Sequence, residues 1–143
     1  MASYSVAHYV SDLRAIVAQE TEISAITERI KPLALRLASD PGWFQDKYRY
    51  TDPEQGVGLH LLHEEDNHDL AVFAIAWAPG KGVPAHNHKT CAVVAGIEGQ
   101  EHETSYQRLD DGSRPGFADL KKPTLKRSIP ARLYAVSPRI FTA

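Results

Sequence analysis

The spacing of apolar residues changes between residues 40 and 57, and this change limits the folds that the chain can adopt. Before it, apolar residues recur at steps of three and four, which is typical of helices with one buried face. After it, they stand in short runs separated by turns that contain Gly and Pro, which is typical of strands. We therefore predict one domain, with a helical region over residues 1–45 and a β region, either a barrel or a sandwich, over residues 46–143.

The helical part has two apolar stripes, and Pro32 interrupts the second, so we expect either a kink there or two short helices. The β part contains runs that are rich in β-branched and aromatic residues. The predicted strands are Val57–Leu62, Leu70–Ala78, Cys91–Ile97, a polar strand ending near Tyr106, and one or two strands within Thr124–Val136. Strands of this length predict a mainly β fold, an antiparallel barrel or sandwich preceded by two or three helices.

Composition excludes several classes of protein. The 143 residues carry a formal net charge of -2 at pH 7, without the excess of positive charge expected of a nucleic-acid-binding protein. The single cysteine, Cys91, excludes a framework of intrachain disulfides. No apolar run approaches the roughly 20 residues of a membrane span, and no secretory signal is visible. We therefore expect a cytoplasmic protein that binds neither nucleic acid nor membrane.

His86 and His88 are the residues with the most direct chemical meaning. Alternate side chains of a strand face the same side, so the two imidazoles are expected to point inward toward one site. Neutral imidazoles suit iron, nickel, copper or zinc. The chain has seven histidines, and chance alone produces about 0.3 His-x-His pairs in such a chain. By itself, the pair therefore favours a metal site no more than it favours two surface histidines.

The residues around this pair strengthen the metal hypothesis. Gly80 lies six positions before His86, and an apolar strand and Gly99 follow His88. In this order the segment resembles the first motif of the cupin superfamily. A longer run resembles the thiol dioxygenases of the cysteine dioxygenase type, namely Ala76-Trp-Ala-Pro-Gly80-Lys-Gly-Val-Pro84-Ala-His86-Asn-His88. The Asp40-Pro-Gly-Trp43 segment after the helical region is also similar to bacterial members of this family.

The resemblance implies a cupin-type jelly-roll barrel that holds one Fe(II) ion through three histidines. His86 and His88 match the first two of these ligands. The implied reaction oxidises a small thiol, such as cysteine or 3-mercaptopropionate, to its sulfinic acid with dioxygen. Three neutral ligands would leave the ion its full 2+ charge, which favours binding of a thiolate. Zn and Ni are the alternative metals, for chemistry without redox steps.

The chain departs from the family after His102, because no histidine follows that residue to act as the third ligand. We therefore expect a C-terminally truncated member whose barrel is incomplete. The alternative function is an inactive or noncatalytic metal-binding domain that serves structure or interaction. An open barrel would expose a strand edge, and such an edge pairs readily with another chain. A homodimer through that edge is therefore an expected assembly.

Three other residues are candidates for the site. Arg49 is the candidate for binding a substrate carboxylate, because its planar fork matches two oxygens, with a surface arginine as the alternative. His60 alternates with Leu62 on a predicted strand and becomes a second substrate-binding candidate if it faces inward. His102 is an alternative third ligand, against a solvated strand histidine. Cys91 is expected to face away from the metal as a small buried apolar residue.

Overall fold

Two helices form where the N-terminal stripes predict them. In the computed structural model, which describes residues 2–122 and, further on, the strand backbone of 126–129, 133–136 and 141–142, they are α1 (Val6–Gln19) and α2 (Ile23–Ser39). The side chain of Ser5 caps α1 by accepting a hydrogen bond from the backbone N–H of His8 at 3.2 Å. Neither helix of this described part is long and apolar enough to cross a membrane.

The division between the helices falls at residues 20–22 rather than at Pro32, which lies inside a continuous α2. Proline removes one backbone hydrogen bond from a helix interior, and packing of the residues beyond it can offset that loss. Ala34 and Leu37 supply such packing, because both are buried. The expectation of two short helices separated by Pro32 is therefore wrong.

A buried apolar cluster in the described part of the chain joins the two helices to the first hairpin of strands. Its members are Tyr4, Tyr9, Val10, Leu13, Ala34, Leu37 and Val72. All of them except Val72 belong to the first forty residues of the chain. The helical region therefore supplies most of the core that the described residues form.

That hairpin consists of β1 (Val57–Glu64) and β2 (Ala71–Trp77), which pair in antiparallel fashion. The register is regular up to Leu61, and an irregularity follows between Leu61 and His63. One face of the hairpin packs on the helices, so that Val72 and Ala74 are buried. A short 3₁₀ helix (Asp46–Arg49) joins the helical region to the hairpin.

The remaining strands are short and form two further sheets. They are β3 (His86–Asn87), β4 (Ala92–Ala95), β5 (Glu101–Arg108), β6 (Leu120–Lys121), β7 (Lys126–Ile129), β8 (Leu133–Val136) and β9 (Phe141–Thr142). Strand β4 pairs with β8, while β5 pairs with β6, β7 and β9, and β9 also pairs with β3. Of the final strand region predicted by the sequence, residues 124, 125 and 130–132 lie outside the described residues.

The predicted fold class is wrong. Within the described residues the strands belong to three separate sheets, none closes into a jelly-roll barrel, and two helices form much of the core. The fold is therefore a mixture of helices and short antiparallel strands rather than mainly β. A barrel requires every strand to pair on both sides with consistent register, and this depends on contacts between distant residues. Strands as short as β3 and β9, with two residues each, cannot be recognised from local spacing.

Candidate metal centre

His86 and His88 lie side by side at the end of β3. Their ring centroids are 4.9 Å apart and the ring planes are inclined by 55°. Pairing of His86 with Thr142 of β9 sets the position of the strand. Both histidines are exposed, whereas Asn87 between them is half-buried. The expectation that the pair points inward is therefore wrong, because the described strands do not close around it.

A hydrogen bond fixes the donor nitrogen of the His86 ring. Its Nδ1 lies 2.8 Å from the backbone carbonyl oxygen of Pro84. A carbonyl oxygen only accepts hydrogen bonds, so Nδ1 donates, and in the neutral tautomer the lone pair belongs to Nε2. Histidines that bind metals usually donate their other ring N–H to a carbonyl or carboxylate in this way. Nε2 of the neutral His86 ring is therefore the atom that would bind a metal.

His88 is held in the neutral form that a metal ligand needs. Although the residue is exposed overall, partial burial of the ring lowers the pKa of His88 below its usual 6.5, and the neighbouring His86 lowers it further. The His88 imidazole is therefore uncharged at pH 7. A proton then competes only weakly with a metal ion for its lone pair.

The distance between the rings fits two ligands of one ion. A histidine nitrogen binds a metal at about 2.0–2.2 Å, which places the ring centroid about 3.2 Å from the ion. Two such rings at about 90–110° to each other have centroids about 4.5–5.3 Å apart. The observed 4.9 Å lies within this range. The separation of the two rings is therefore compatible with two ligands of one ion.

No third ligand for this pair is found in the described part of the chain, where no group of three or more His, Cys, Asp or Glu side chains could hold a metal. His102, the alternative third ligand, is exposed on β5, where it lies opposite Ser128. Cys91 is a free, half-buried cysteine just before β4. Within the described residues the candidate centre therefore consists of two histidines.

Arg49 binds carboxylates of its own chain. Its Nε donates to Oε2 of Glu98 at 2.9 Å and its Nη2 donates to Oε1 of the same residue, while Nη1 donates to Asp46. These bonds lower the pKa of Glu98 from its ordinary value. They also join the 3₁₀ helix to the turn between β4 and β5. A substrate carboxylate would have to displace Glu98 in order to bind the same two nitrogens of the Arg49 guanidinium.

His60 fastens β1 to the segment before it. Its Nε2 donates to the carbonyl oxygen of Tyr50 at 3.0 Å, since that oxygen can only accept, and its ring meets the ring of Tyr48 edge-on with 5.8 Å between centroids. Among the described residues His60 forms no metal-holding group with the histidine pair. The structure thus gives His60 a packing role and leaves its part in substrate binding a prediction.

Pro84 and Glu98 are the residues that sequence reasoning missed. Pro84 stands two residues before His86, but its carbonyl carries no signal of its own in the sequence. Glu98 is separated from Arg49 by 49 positions, and only the folded chain brings the two together.

The resemblance to thiol dioxygenases depends on the segment around His86 and His88. A comparison of the chain with known protein families finds no match.

Proposed function

We propose that this protein binds one Fe(II) ion through His86 and His88 and uses dioxygen to oxidise a small thiol to its sulfinic acid. The observation that carries the proposal is the 4.9 Å separation of the two rings, which suits two ligands of one ion. The hydrogen bond from His86 to Pro84 supports it, because it directs Nε2 to the metal. The type of reaction is supported by the resemblance of the segment over residues 76–106 to thiol dioxygenases.

The two histidines hold the ion without neutralising it. Because imidazole binds a metal in its neutral form, the ion would keep its full 2+ charge, which favours a thiolate over a neutral thiol. Fe(II), when bound, would supply the redox chemistry by which dioxygen oxidises the thiolate. In the overall reaction both oxygen atoms become bonded to sulfur, which loses four electrons while dioxygen gains four. A cytoplasmic location, where small thiols stay reduced, fits this proposal.

Arg49 is the candidate that would select a thiol carrying a carboxylate, such as cysteine or 3-mercaptopropionate. Its guanidinium already holds the carboxylate of Glu98 in the two-point manner that a substrate would need. The ion pair is exposed to solvent, so exchange of Glu98 for a substrate carboxylate has a modest energetic cost. His60 is the second candidate, through the side of its ring that does not bond Tyr50.

A second candidate function is a noncatalytic metal site. The observation in its favour is that the described residues offer two histidines and no third ligating side chain. Two protein ligands completed by water bind an ion more weakly than three, and such a site serves structure or interaction as readily as chemistry. Zn and Ni would then occupy the pair as well as iron does.

The test uses the full chain, stripped of metal with a chelator and supplied with Fe(II) without air. We expect one iron per chain, measured by elemental analysis after buffer exchange. Addition of air-saturated cysteine or 3-mercaptopropionate should then consume one dioxygen per thiol, with the sulfinic acid identified by mass spectrometry. Reconstitution with Zn or Ni should preserve binding and abolish oxygen consumption.

Variants separate the two functions. His86→Ala and His88→Ala should each lower iron affinity at least tenfold. His68→Asn is the matched control, because His68 is an exposed histidine bonded to Glu64 at 2.7 Å and has a φ of 61°, which asparagine tolerates. Iron that binds without oxygen consumption supports the noncatalytic site and excludes the enzyme. Iron binding that survives both alanine substitutions excludes both functions.

A further inference from the structure

The face of the β1–β2 hairpin that points away from the helices is apolar, and we call it the outer face. The register places six large apolar side chains on it, and all of them except Val57 are exposed, namely Leu59, Leu61, Phe73, Ile75 and Trp77. The exposed fractions of these five residues are 67%, 52%, 50%, 49% and 38%, in that order. Twelve large apolar residues are exposed in the described part of the chain, and the other seven are spread over both helices and several loops. The outer face is therefore a patch and not a scatter of single residues.

The sequence of β2 has the pattern of a strand covered on both sides. All seven residues from Ala71 to Trp77 are apolar, and a run without alternation is typical of strands buried on both faces. The structure buries one face, where Val72 and Ala74 are 8% and 5% exposed. The outer face carries the same apolar chemistry, and its five large side chains are exposed. The sequence of β2 therefore predicts that a second layer packs against the outer face.

Other strands of the chain are engaged elsewhere. Among the described residues β7 pairs with β5, β8 with β4, and β9 with both β3 and β5. Among the described elements, α1 and the 3₁₀ helix contact the hairpin, and α2 contributes to the buried cluster that contains Val72. We infer that a second copy of this chain covers the outer face, so that two hairpins pack face to face about a twofold axis. This dimer differs from the strand-edge dimer that the sequence predicts, and it does not depend on the metal site.

The size of the outer face fits this assembly. The exposed fractions of the five residues, applied to residue areas of about 180–250 Å², correspond to roughly 500 Å² of surface. Patches of about 300–600 Å² are the largest found on ordinary monomers and are often functional. Two copies together would bury about 1,000 Å², which is the lower limit for a specific interface. The expected dimer is thus a weak one, with a dissociation constant in the micromolar range.

Its chemistry fits a copy of itself better than a charged partner. The five side chains contain no ionisable group, and Phe73 and Trp77 are aromatic, the kind of residue that dominates binding at the centre of interfaces. A twofold axis through the Leu59–Ile75 pair would oppose apolar residues to apolar residues throughout, as in aligned sheet packing. Association should therefore change little with ionic strength, since salt screens charges and not apolar contacts.

The test is sedimentation equilibrium of the full chain between about 1 and 300 µM at two salt concentrations. We expect the mass to rise with concentration from 15.8 kDa toward twice that value, with the same midpoint at 50 and 500 mM NaCl. Ile75→Lys and Leu59→Lys should each raise the dissociation constant at least tenfold. Val17→Lys is the matched control, because Val17 is an exposed apolar residue of α1 outside the outer face and should leave association unchanged.

Circular dichroism of each variant shows whether it folds, and the mass of the unsubstituted chain provides a test that needs no variant. A mass that stays at 15.8 kDa up to 300 µM overturns the proposal. So does a dimer that tolerates lysine at both outer-face positions while the variants keep their helical signal. A monomer whose Trp77 resists quenching by iodide would also overturn it, since the chain itself would then cover the face.

Discussion

At the scale of single residues, the protonation of His88 limits the conditions under which the proposed centre works. Burial and the neighbouring His86 lower the pKa of His88 from its usual value, so the ring keeps its neutral form to a lower pH than an ordinary histidine does. We predict a Zn²⁺ affinity that is constant between about pH 7 and 8 and falls at lower pH, by about tenfold per unit for each histidine protonated. Calorimetric titration at each pH measures this, and an affinity that is unchanged at pH 5 would show that carboxylates hold the ion.

The sequence predicted the residues of this centre better than their surroundings. Spacing alone brings His86 and His88 together, because a strand places alternate side chains on one side. Their exposure was not predicted, since it depends on how distant strands are arranged around β3. The partner of Arg49 was not predicted either, because Glu98 reaches it across 49 positions of the chain. Local patterns identify ligands, while burial and pairing come from the whole fold.

At the scale of elements, periodicity located the helices and the hairpin but not the assembly of strands. Apolar residues at steps of three and four predict a helix, and short apolar runs predict a strand. Both patterns also predict which side of the segment is buried. Whether β4 pairs with β8 depends on residues forty positions apart, and nothing in either strand specifies the other. The resemblance of one motif to a known family led to the prediction of a barrel. The described strands form three separate sheets instead.

The close approach of Gly58 in β1 to the backbone of Tyr50 can be tested by substitution. A Cβ at that residue would lie 2.0 Å from the Tyr50 carbonyl oxygen and 3.0 Å from Nε2 of His60. We predict that Gly58→Ala lowers the free energy of unfolding in urea by about 1–3 kcal/mol. Gly82→Ala is the control, since no atom lies within 4 Å of its added Cβ. Equal effects of the two substitutions would contradict the contact.

At the scale of the whole molecule, a metal that binds the folded chain must stabilise it. Free ion at 100 times its dissociation constant adds about 2.7 kcal/mol to the free energy of unfolding at a single site. In a domain of this size each kcal/mol raises the Tm by about 3–4 °C. We therefore predict that Zn²⁺ at this excess raises the Tm by about 8–11 °C in thermal unfolding, and that a chelator reverses the rise.

Variants show whether this stabilisation comes from the proposed pair. His86→Ala should remove most of the rise in Tm, whereas His68→Asn should keep it, because His68 bonds Glu64 on a turn between β1 and β2. The unfolded chain also binds metal through its seven histidines, which reduces the rise in Tm. Each variant removes one histidine from the unfolded state, so this effect is the same in both. A difference between their Tm shifts therefore reports the folded site, and equal shifts would place the ion elsewhere.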